Sequence, residues 1–409
     1  MNSYQQKRAQ FYSKIENFWA DLYNEEYALY DIAFIEKERL AHVRTATNRI
    51  GAIFAKTNAL LREVNEETLI ELGFPLEVHP FLRVKSMTAE SVISRLDLIP
   101  TDSGYKCIEI NADTPTFIKE LFSVNGLVCE QFGAENPNKR EERLLGREMV
   151  KSIHELSQSC SKTPYIVFTA HEDNVEDRET VLYLQRLAEV PSRFIPLHKL
   201  QIEKGAGLFD EEGKRIDILY RQTFPIENLI EDEDEEGNKI GLWLLELVEK
   251  GKLQLINPPS AFLMQNKAVQ AVIWGLHQQD HPFFTKEEHR WMEEYFLPTF
   301  LEPDYFLEKN IAYVKKPVFG REGDTVEIHH SNGEIYREKE QSYTKYLPIY
   351  QQYIEHPSIA FQSEKGQQSG KLLMGSFLIN GKASAIGYRV GATITNNLSY
   401  YLPIGVQKS

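Results

Sequence analysis

Apolar and polar residues repeat with two different periods along this chain, and each period predicts a different kind of element. Apolar residues at helical spacing predict helices over residues 4–30, 32–61, 141–156 and 180–188. Short apolar or alternating runs bounded by turn residues predict strands over residues 94–99, 105–111, 164–170, 216–220, 253–256, 372–378 and 383–390. The mixture of the two predicts an α+β fold.

The segments 94–99 and 105–111 flank the turn-forming residues 100–104, which predicts a β-hairpin. Side chains alternate between the two faces of a strand. If the pairing is symmetric about Ser103, four polar side chains meet on one face: Arg95, Asp97, Glu109 and Asn111. In this register Asp97 lies opposite Glu109, whereas a slip of one residue would separate them.

Two carboxylates, an amide oxygen and a guanidinium form a group with a chemical use. Magnesium binds oxygen ligands, usually one or two carboxylates together with substrate phosphates and water. Arginine offers a planar fork to phosphate or carboxylate. The alternative is a solvent-facing strand pair with a surface salt bridge between Arg95 and Asp97 or Glu109, which would contribute little. The pattern alone leaves both interpretations open.

Composition limits the function classes. The 409 residues carry a formal net charge of -14, which argues against a general grip on nucleic acid. The three cysteines form no CxxC pair and suit a reducing compartment. The charged N-terminus is unlike a secretory signal, and no uncharged apolar segment of about 18 residues predicts a membrane span. We therefore expect a cytoplasmic protein that binds no membrane; a homodimer is one arrangement the sequence allows.

Two further segments carry candidate binding chemistry. Thr114 or Thr116 could cap a helix whose first turn holds Pro115, and the amides at such a helix start would favour an anion. The acidic stretch 172–179 follows the strand 164–170, at the strand end where ligand sites gather in open α/β sheets, and would suit a cationic amine. The alternative is that these charges only start and solubilise the next helix.

The last third resembles a phosphate-binding half. Asn266 and Lys267 open a predicted helix, and a strand beginning at Tyr313 ends in a loop that contains Gly320 and Gly323. Glycines let backbone amides approach phosphate closely, and lysine adds a point charge. Neither GxxxxGK[ST] nor GxGxxG occurs in this region, so a classical P-loop or Rossmann site is not indicated.

Taken together, these residues resemble the glutathionylspermidine synthase family of ATP-grasp ligases along nearly the whole chain. Six matches occur in the family's order: Arg95-Leu96-Asp97, Glu109 to Pro115, Asn266-Lys267, Lys316-Pro317 with Gly320-Arg321 and Gly323, Tyr350-Gln351-Gln352, and Gly387-Tyr388-Arg389. The resemblance implies an ATP-grasp-like synthetase with a helical N-terminal region and a pre-ATP-grasp α/β subdomain. It suggests three regions: 1–120 with the hairpin, 121–260 for substrate, and 261–409 for nucleotide.

The resemblance also implies roles for individual residues. Asp97, Glu109 and Asn111 would coordinate magnesium, and Arg95 would contact the transferred phosphoryl group. The residues implied in ATP binding are Lys267, Lys316, Gly320, Gly323, Gln351, Gln352 and Arg389; the two glutamines would border the adenine. Thr114, Thr116, Glu176 and Arg221 match the family's substrate contacts only loosely.

The implied reaction is ATP-dependent ligation of a carboxylate to an amine through an acyl phosphate, with ATP and magnesium required. The family's named substrates are glutathione and spermidine, so a peptide-like acid and a polyamine-like amine are expected. Bifunctional members also carry a cysteine amidase domain, and we expect the synthetase activity only. Two alternatives remain open: an ATP-binding regulatory or scaffold protein without turnover, and a metal-dependent hydrolase.

Overall fold

The computed structural model describes residues 3–160, 162–396 and 398–407. Its α-helices are Ser3–Tyr12, Lys37–Leu61, Glu66–Glu71, His79–Leu82, Asn125–Gln131, Glu141–Ser157, Val175–Ala188, Ile226–Leu229, Ile240–Glu249, Ala261–Gln265, Ala268–Gln278, Lys286–Tyr295 and Asp304–Lys309. A π-helical segment, Glu120–Val124, runs directly into Asn125–Gln131. Within these described ranges, no helix is both long and apolar enough to cross a membrane.

The chain forms three main sheets, which we call the large sheet, the five-stranded sheet and the parallel sheet. The large sheet is antiparallel, in the order Tyr400–Leu402, Lys382–Gly391, Gly366–Ile379, Ile93–Pro100 and Tyr105–Asn111, with Ser358–Ser363 also paired to Gly366–Ile379. The five-stranded antiparallel sheet has the order Thr299–Phe300, Pro348–Gln352, Tyr313–Pro317, Glu327–His329 and Ile335–Arg337. The parallel sheet has the order Gln254–Ile256, Ile218–Gln222, Ile166–Ala170 and Arg193–Phe194. Short strand pairs are Asp21–Leu22 with Glu25–Glu26, Ala33–Phe34 with Ile404–Gly405, and Gln201–Glu203 with Gly207–Phe209.

The predicted α+β class is confirmed. The predicted hairpin over 94–111 forms, and the strands predicted over 372–378 and 383–390 pair as a second hairpin. The two hairpins lie side by side, because Gly366–Ile379 pairs antiparallel with Ile93–Pro100. All eight residues of Ile93–Pro100 are buried, as expected for a central strand covered on both faces. The large sheet therefore contains strands from two of the predicted regions, 1–120 and 261–409. The boundaries of these regions stay a prediction.

The long helix Lys37–Leu61 covers one face of the large sheet at close range. A Cβ at Gly51 would lie 2.7 Å from Leu378 Cδ1, so any larger residue there would force the buried Leu378 side chain to shift. The Thr47 and Ser376 hydroxyls, both fully buried, are 2.6 Å apart and hydrogen-bonded. This helix matches the prediction over 32–61, apart from its first five residues.

The helix predicted over residues 4–30 is wrong beyond Tyr12. Asn17, Tyr23 and Asn24 have positive φ values of 56°, 53° and 61°, a conformation that a right-handed helix does not contain. The chain instead forms the short hairpin Asp21–Glu26. The apolar residues that suggested a helix, such as Trp19, pack into a core from irregular backbone.

One buried asparagine ties the parallel sheet to the hairpin of the large sheet. Asn257 follows strand Gln254–Ile256 and is 4% exposed. Its Oδ1 accepts from the amides of Val92 and Ile93 at 2.7 and 3.1 Å. Its Nδ2 donates to the carbonyls of Ile93, Ala112 and Asp113 at 2.8, 3.0 and 2.7 Å. Asn257 thus satisfies five backbone groups beside both hairpin strands.

We predict that Asn257→Ala lowers the free energy of unfolding by about 3 kcal/mol or more, because buried backbone donors and acceptors lose their partners. Urea unfolding followed by circular dichroism measures this. Asn332→Ala, in an exposed turn, is the matched control and should change the value by less than about 0.5 kcal/mol. Equal, small effects of both substitutions would contradict the role assigned to Asn257.

Candidate active site

A single cleft collects nearly all of the residues singled out from the sequence. Fourteen of the fifteen line it: Arg95, Asp97, Glu109, Asn111, Thr114, Thr116, Glu176, Lys267, Lys316, Gly320, Gly323, Gln351, Gln352 and Arg389. These residues come from the large sheet, the five-stranded sheet, the loop after strand Tyr313–Pro317, and the helix after the parallel strand Ile166–Ala170. The cleft therefore lies where the three sheets meet.

The hairpin has the predicted register at the site because of a β-bulge. Pro100 pairs with Tyr105 and Leu98 with Cys107, which on its own would place Asp97 opposite Ile108. The register shifts between Asp97 and Leu98, so that Asp97 pairs with Glu109. The bulge also turns Ile108 toward the cleft beside Glu109, whereas strict alternation had placed these two side chains on opposite faces.

Arg95 and Asp97 form a salt bridge that is buried, unlike the surface pair considered from the sequence. Arg95 Nε and Nη2 donate to the two Asp97 oxygens at 2.7 and 3.1 Å, and the residues are 5% and 3% exposed. Asn111 Nδ2 lies 3.4 Å from Asp97 Oδ2, which directs the Asn111 oxygen away from this carboxylate. Burial raises the pKa of Asp97 against the opposing charge of Arg95, and nearby Glu109 adds to the rise. Additional positive charge between these carboxylates would be favourable.

Two lysines face the hairpin from the other side of the cleft. Lys316, on strand Tyr313–Pro317, donates from Nζ to the Ile108 carbonyl at 2.8 Å and to Gln351 Oε1 at 2.9 Å. Lys267 Nζ donates to the Gly320 carbonyl at 2.8 Å and lies 3.5 Å from Glu109 Oε2. Burial lowers the pKa of Lys316 to about 8, although Glu109 opposes this. Burial alone would raise the pKa of Glu109, but Lys267, Lys316 and Arg95 outweigh it and lower that pKa to about 2.

The loop after strand Tyr313–Pro317 requires its glycines. Gly320 and Gly323 have φ values of 129° and 73°, in the region that favours glycine. A Cβ at Gly323 would lie 2.4 Å from Ile394 Cγ2 and 2.8 Å from the Thr395 carbonyl oxygen. The loop is thereby packed against residues 393–395, which line the opposite rim, close to Arg389.

Two carboxylates, Glu176 and Asp177, also line the cleft, and Arg321 and Arg389 are close enough to act on the charge of Glu176. Asn174 caps helix Val175–Ala188 by accepting from the Asp177 amide, which places Glu176 and Asp177 in the first turn. The helix thus begins five residues earlier than predicted. Burial raises the pKa of Glu176 to about 8, and the charges of Glu120 and Asp177 act in the same direction. Glu120 itself is fully buried and accepts from the Tyr27 hydroxyl at 2.6 Å.

Arg221 is the one candidate that does not line the cleft. It is 3% exposed, and its Nη2 donates to both oxygens of Asp113 at 2.7 Å. Asp113 directly precedes the cleft residue Thr114. Arg221 therefore supports the cleft wall rather than facing a ligand.

The helix expected at Thr114 to Thr116 begins later, at Ile118. Phe117 has a φ of 77°, which interrupts any helix starting before it. Residues 114–116 run irregularly along the cleft, and the Thr116 carbonyl accepts from Arg95 Nη1 at 2.9 Å. Helix-start amides at Thr114 to Thr116 are therefore not present to bind an anion.

Several lining residues had no signal in the sequence. Leu22, Tyr23 and Tyr27 reach the cleft from the short N-terminal hairpin, which the sequence had placed inside a helix. Arg321 lines the cleft within the quoted glycine motif but had no separate role, and its guanidinium lies 5.3 Å from the ring centre of Phe224. The signal that the sequence offered for the hairpin turn was Asn24, a residue type that tolerates the positive φ of 61° found there.

The residues on the hairpin fit a magnesium ion by their chemistry. Asp97 and Glu109 supply two carboxylates on neighbouring strands that face one cleft. Asn111 would add an amide oxygen once its side chain turns, because its nitrogen faces Asp97 here. Among the described residues, no three histidine, cysteine, aspartate or glutamate side chains are grouped so as to hold a metal alone. A cation here would therefore depend on Asn111 and on ligands from a bound substrate.

Two known proteins are similar to this chain in sequence. The chain is 27% identical over 322 residues to a putative acid–amine ligase of Haemophilus influenzae, covering 76% of this chain and 73% of that protein. It is 22% identical over 353 residues to trypanothione synthetase of Crithidia fasciculata, covering 82% of this chain but only half of that protein.

A solved structure has a similar fold. The glutathione synthetase-like effector of Globodera pallida, in its apo form, superposes with a TM-score of 0.57 at 11% identity, covering 99% of this chain and 98% of that one. The family model for the glutathionylspermidine synthase preATP-grasp region matches residues 3–407. The chain therefore belongs to the glutathionylspermidine synthase preATP-grasp family.

Proposed function

We propose that this protein is an ATP-dependent ligase that joins a carboxylate to an amine. The observation that carries the proposal is one cleft whose walls bring together two lysines, a glycine loop, a buried carboxylate–arginine hairpin and a carboxylate pair. The family membership and the names of the two relatives, an acid–amine ligase and a trypanothione synthetase, support it.

In this proposal ATP binds beside Lys267 and Lys316. Lys267 and Lys316 neutralise phosphate charge, and the Gly320 to Gly323 loop covers the phosphates with its backbone amides. Gln352 lies on the strand beside the base, and Arg389 faces the phosphates from the opposite rim. The magnesium held by Asp97, Glu109 and Asn111 would supply further positive charge when bound.

The acid substrate lies between the phosphates and Arg95. Its carboxylate oxygen attacks the terminal phosphorus of ATP, the bond from that phosphorus to the bridging oxygen breaks, and ADP leaves. Arg95, held by Asp97 and the Thr116 carbonyl, stabilises charge on the transferred phosphoryl group. An amine then attacks the acyl carbon, losing a proton and expelling phosphate to leave an amide.

The proposed reaction needs no nucleophile from the protein. All three cysteines lie in described parts of the chain, and none lines the cleft. Cys107, the nearest by position, is fully buried, and burial raises the pKa of its thiol. Glu176 and Asp177 instead attract the cationic amine, which makes a polyamine-like substrate suitable. Glutathione and spermidine, the substrates in the family's name, are the first pair to test.

The direct test is magnesium-dependent ADP release with glutathione and spermidine together, with each alone, and with neither. We expect release only when an acid and an amine are both present. ATP binding without release in a screen of peptide-like acids and polyamines would favour a regulatory or scaffold protein. Amide hydrolysis without ATP would favour a metal-dependent hydrolase.

We predict that Asp97→Asn and Lys316→Met each lower kcat for ADP release by roughly 10²-fold or more. Asp97→Asn removes the carboxylate that would bind magnesium and that holds Arg95, and Lys316→Met removes a positive charge beside the phosphates. Steady-state kinetics measure this, with circular dichroism to confirm folding. Asp102→Asn, in the exposed turn of the same hairpin, and Lys339→Met, in an exposed segment, are the matched controls. Folded Asp97 and Lys316 variants with wild-type kcat would contradict the site assignment.

Glu176 should couple amine binding to pH. The folded-state pKa of about 8 lies above the usual value of 4.5, so the folded chain binds a proton that the unfolded chain releases. Stability from this group is therefore full below about pH 4.5 and falls as pH rises through 8. Glu176→Gln should raise the thermal midpoint relative to wild type at pH 8 but not at pH 4.

Above pH 8, where Glu176 is ionised, the same substitution should raise the KM for the amine about tenfold while leaving that for ATP nearly unchanged, because only the amine loses a charged partner. Glu249→Gln, at an exposed helix end, should change neither quantity. A Glu176 variant with an unchanged amine KM and an unchanged melting profile would overturn the role of this carboxylate.

A further inference from the structure

A buried polar cluster lies directly behind Lys316. Gln351, Gln270 and Thr299 come from a strand, a helix and a short edge strand, and they are 1%, 2% and 0% exposed. Both glutamines border the cleft, but Gln352 is half-buried, whereas Gln351 is almost fully buried. Buried side-chain amides are costly unless all their hydrogen bonds are made, so the partners of Gln351 indicate its role.

The partners leave Gln351 one orientation. Thr299 Oγ1 donates to the Leu297 carbonyl at 2.9 Å, so it can only accept from Gln351 Nε2, 3.0 Å away. Gln270 Nε2 donates to the Ile108 carbonyl at 2.8 Å, which turns Gln270 Oε1 toward Gln351 Nε2 at 3.1 Å. Both hydrogens of the Gln351 amide are thus used.

The remaining atom of the amide, Gln351 Oε1, therefore faces Lys316 Nζ at 2.9 Å. A lysine ammonium has three donors. The Gln351 oxygen and the Ile108 carbonyl, the latter at 2.8 Å, accept two of them. The third donor is left for the cleft that Lys316 lines.

We infer that Gln351 is a positioning residue that aims the Lys316 ammonium at a nucleotide phosphate and does not read the base. The inference rests on the proposed function, since it needs Lys316 to bind phosphate. It also replaces the sequence-based expectation that Gln351 borders the adenine. Thr299 and Gln270 act behind it by keeping its oxygen turned toward the lysine.

The test is direct nucleotide binding measured by titration calorimetry, which needs no turnover. Gln351→Met keeps the length of the side chain and removes its hydrogen bonds. We expect it to weaken ATP and GTP by the same factor, roughly tenfold, as for loss of a hydrogen bond to a charged group. Because Lys316 contacts only the phosphates, adenosine binding should stay at its wild-type value. Gln367→Met, on an exposed strand position, is the matched control.

A double-mutant cycle separates positioning from direct contact. If Gln351 acts through Lys316, then Gln351→Met should cost no further ATP affinity in a Lys316→Met background. A persistent loss in that background, or a loss specific to ATP over GTP, would overturn the inference and return Gln351 to the base. Unchanged ATP affinity in folded Gln351→Met would overturn it as well.

A second variant guards against a folding defect. Thr299→Val removes the hydroxyl that orients the amide without touching the cleft, and we expect a loss of ATP affinity of about threefold that also vanishes in the Lys316→Met background. If both variants are unfolded, Gln270→Met, which removes the other acceptor that orients the Gln351 amide, should also weaken ATP by about threefold, and unchanged ATP affinity counts against the inference. Absence of ATP binding by the wild-type protein would overturn the proposed function, and this inference with it.

Discussion

The whole site depends on pairing charges that are largely removed from water. Asp97 and Arg95 are almost fully buried, and Glu109, Lys267 and Lys316 lie within the same cleft. An unpaired charge in such a place would cost several kcal/mol, so each cation needs an anion or carbonyl within reach. The Arg95–Asp97 bridge and the carbonyls of Ile108 and Gly320 meet that need. On binding, substrate phosphates would replace the carbonyls as partners of the lysines, and a magnesium ion would lie beside the carboxylates.

Backbone irregularities hold these charges in place. The bulge at Ile108 aligns Asp97 with Glu109. The Ile108 carbonyl accepts hydrogen bonds from both Lys316 and Gln270. Asn257 hydrogen-bonds to the ends of the same hairpin and so fixes them to the parallel sheet. Glu176 and Asp177 lie on the helix that follows strand Ile166–Ala170 of that sheet. The regular sheets thus supply rigidity, and the departures from regularity place the chemistry.

The sequence was informative where pattern alone decides the structure. Strand alternation and a turn predicted the facing of Asp97 and Glu109, and the order of short motifs predicted the family. It failed where the tertiary environment decides. The apolar residues near Trp19 have helical spacing yet pack from a loop, because positive φ at Asn17 ends any helix. Arg221 could bind an anionic substrate by its chemistry, but its guanidinium is paired with Asp113. The two residues are 108 positions apart, so no local sequence pattern predicts this pair.

The most direct measurement of the central claim is a crystal structure with a non-hydrolysable ATP analogue and Mn²⁺ in place of magnesium, with anomalous scattering to locate the metal. We expect a manganese peak in contact with Asp97, Glu109 and Asn111 when the nucleotide is bound, and the triphosphate between Lys267, Lys316 and the Gly320 to Gly323 loop. A triphosphate bound outside this cleft, or a metal that ignores the hairpin carboxylates, would contradict the account.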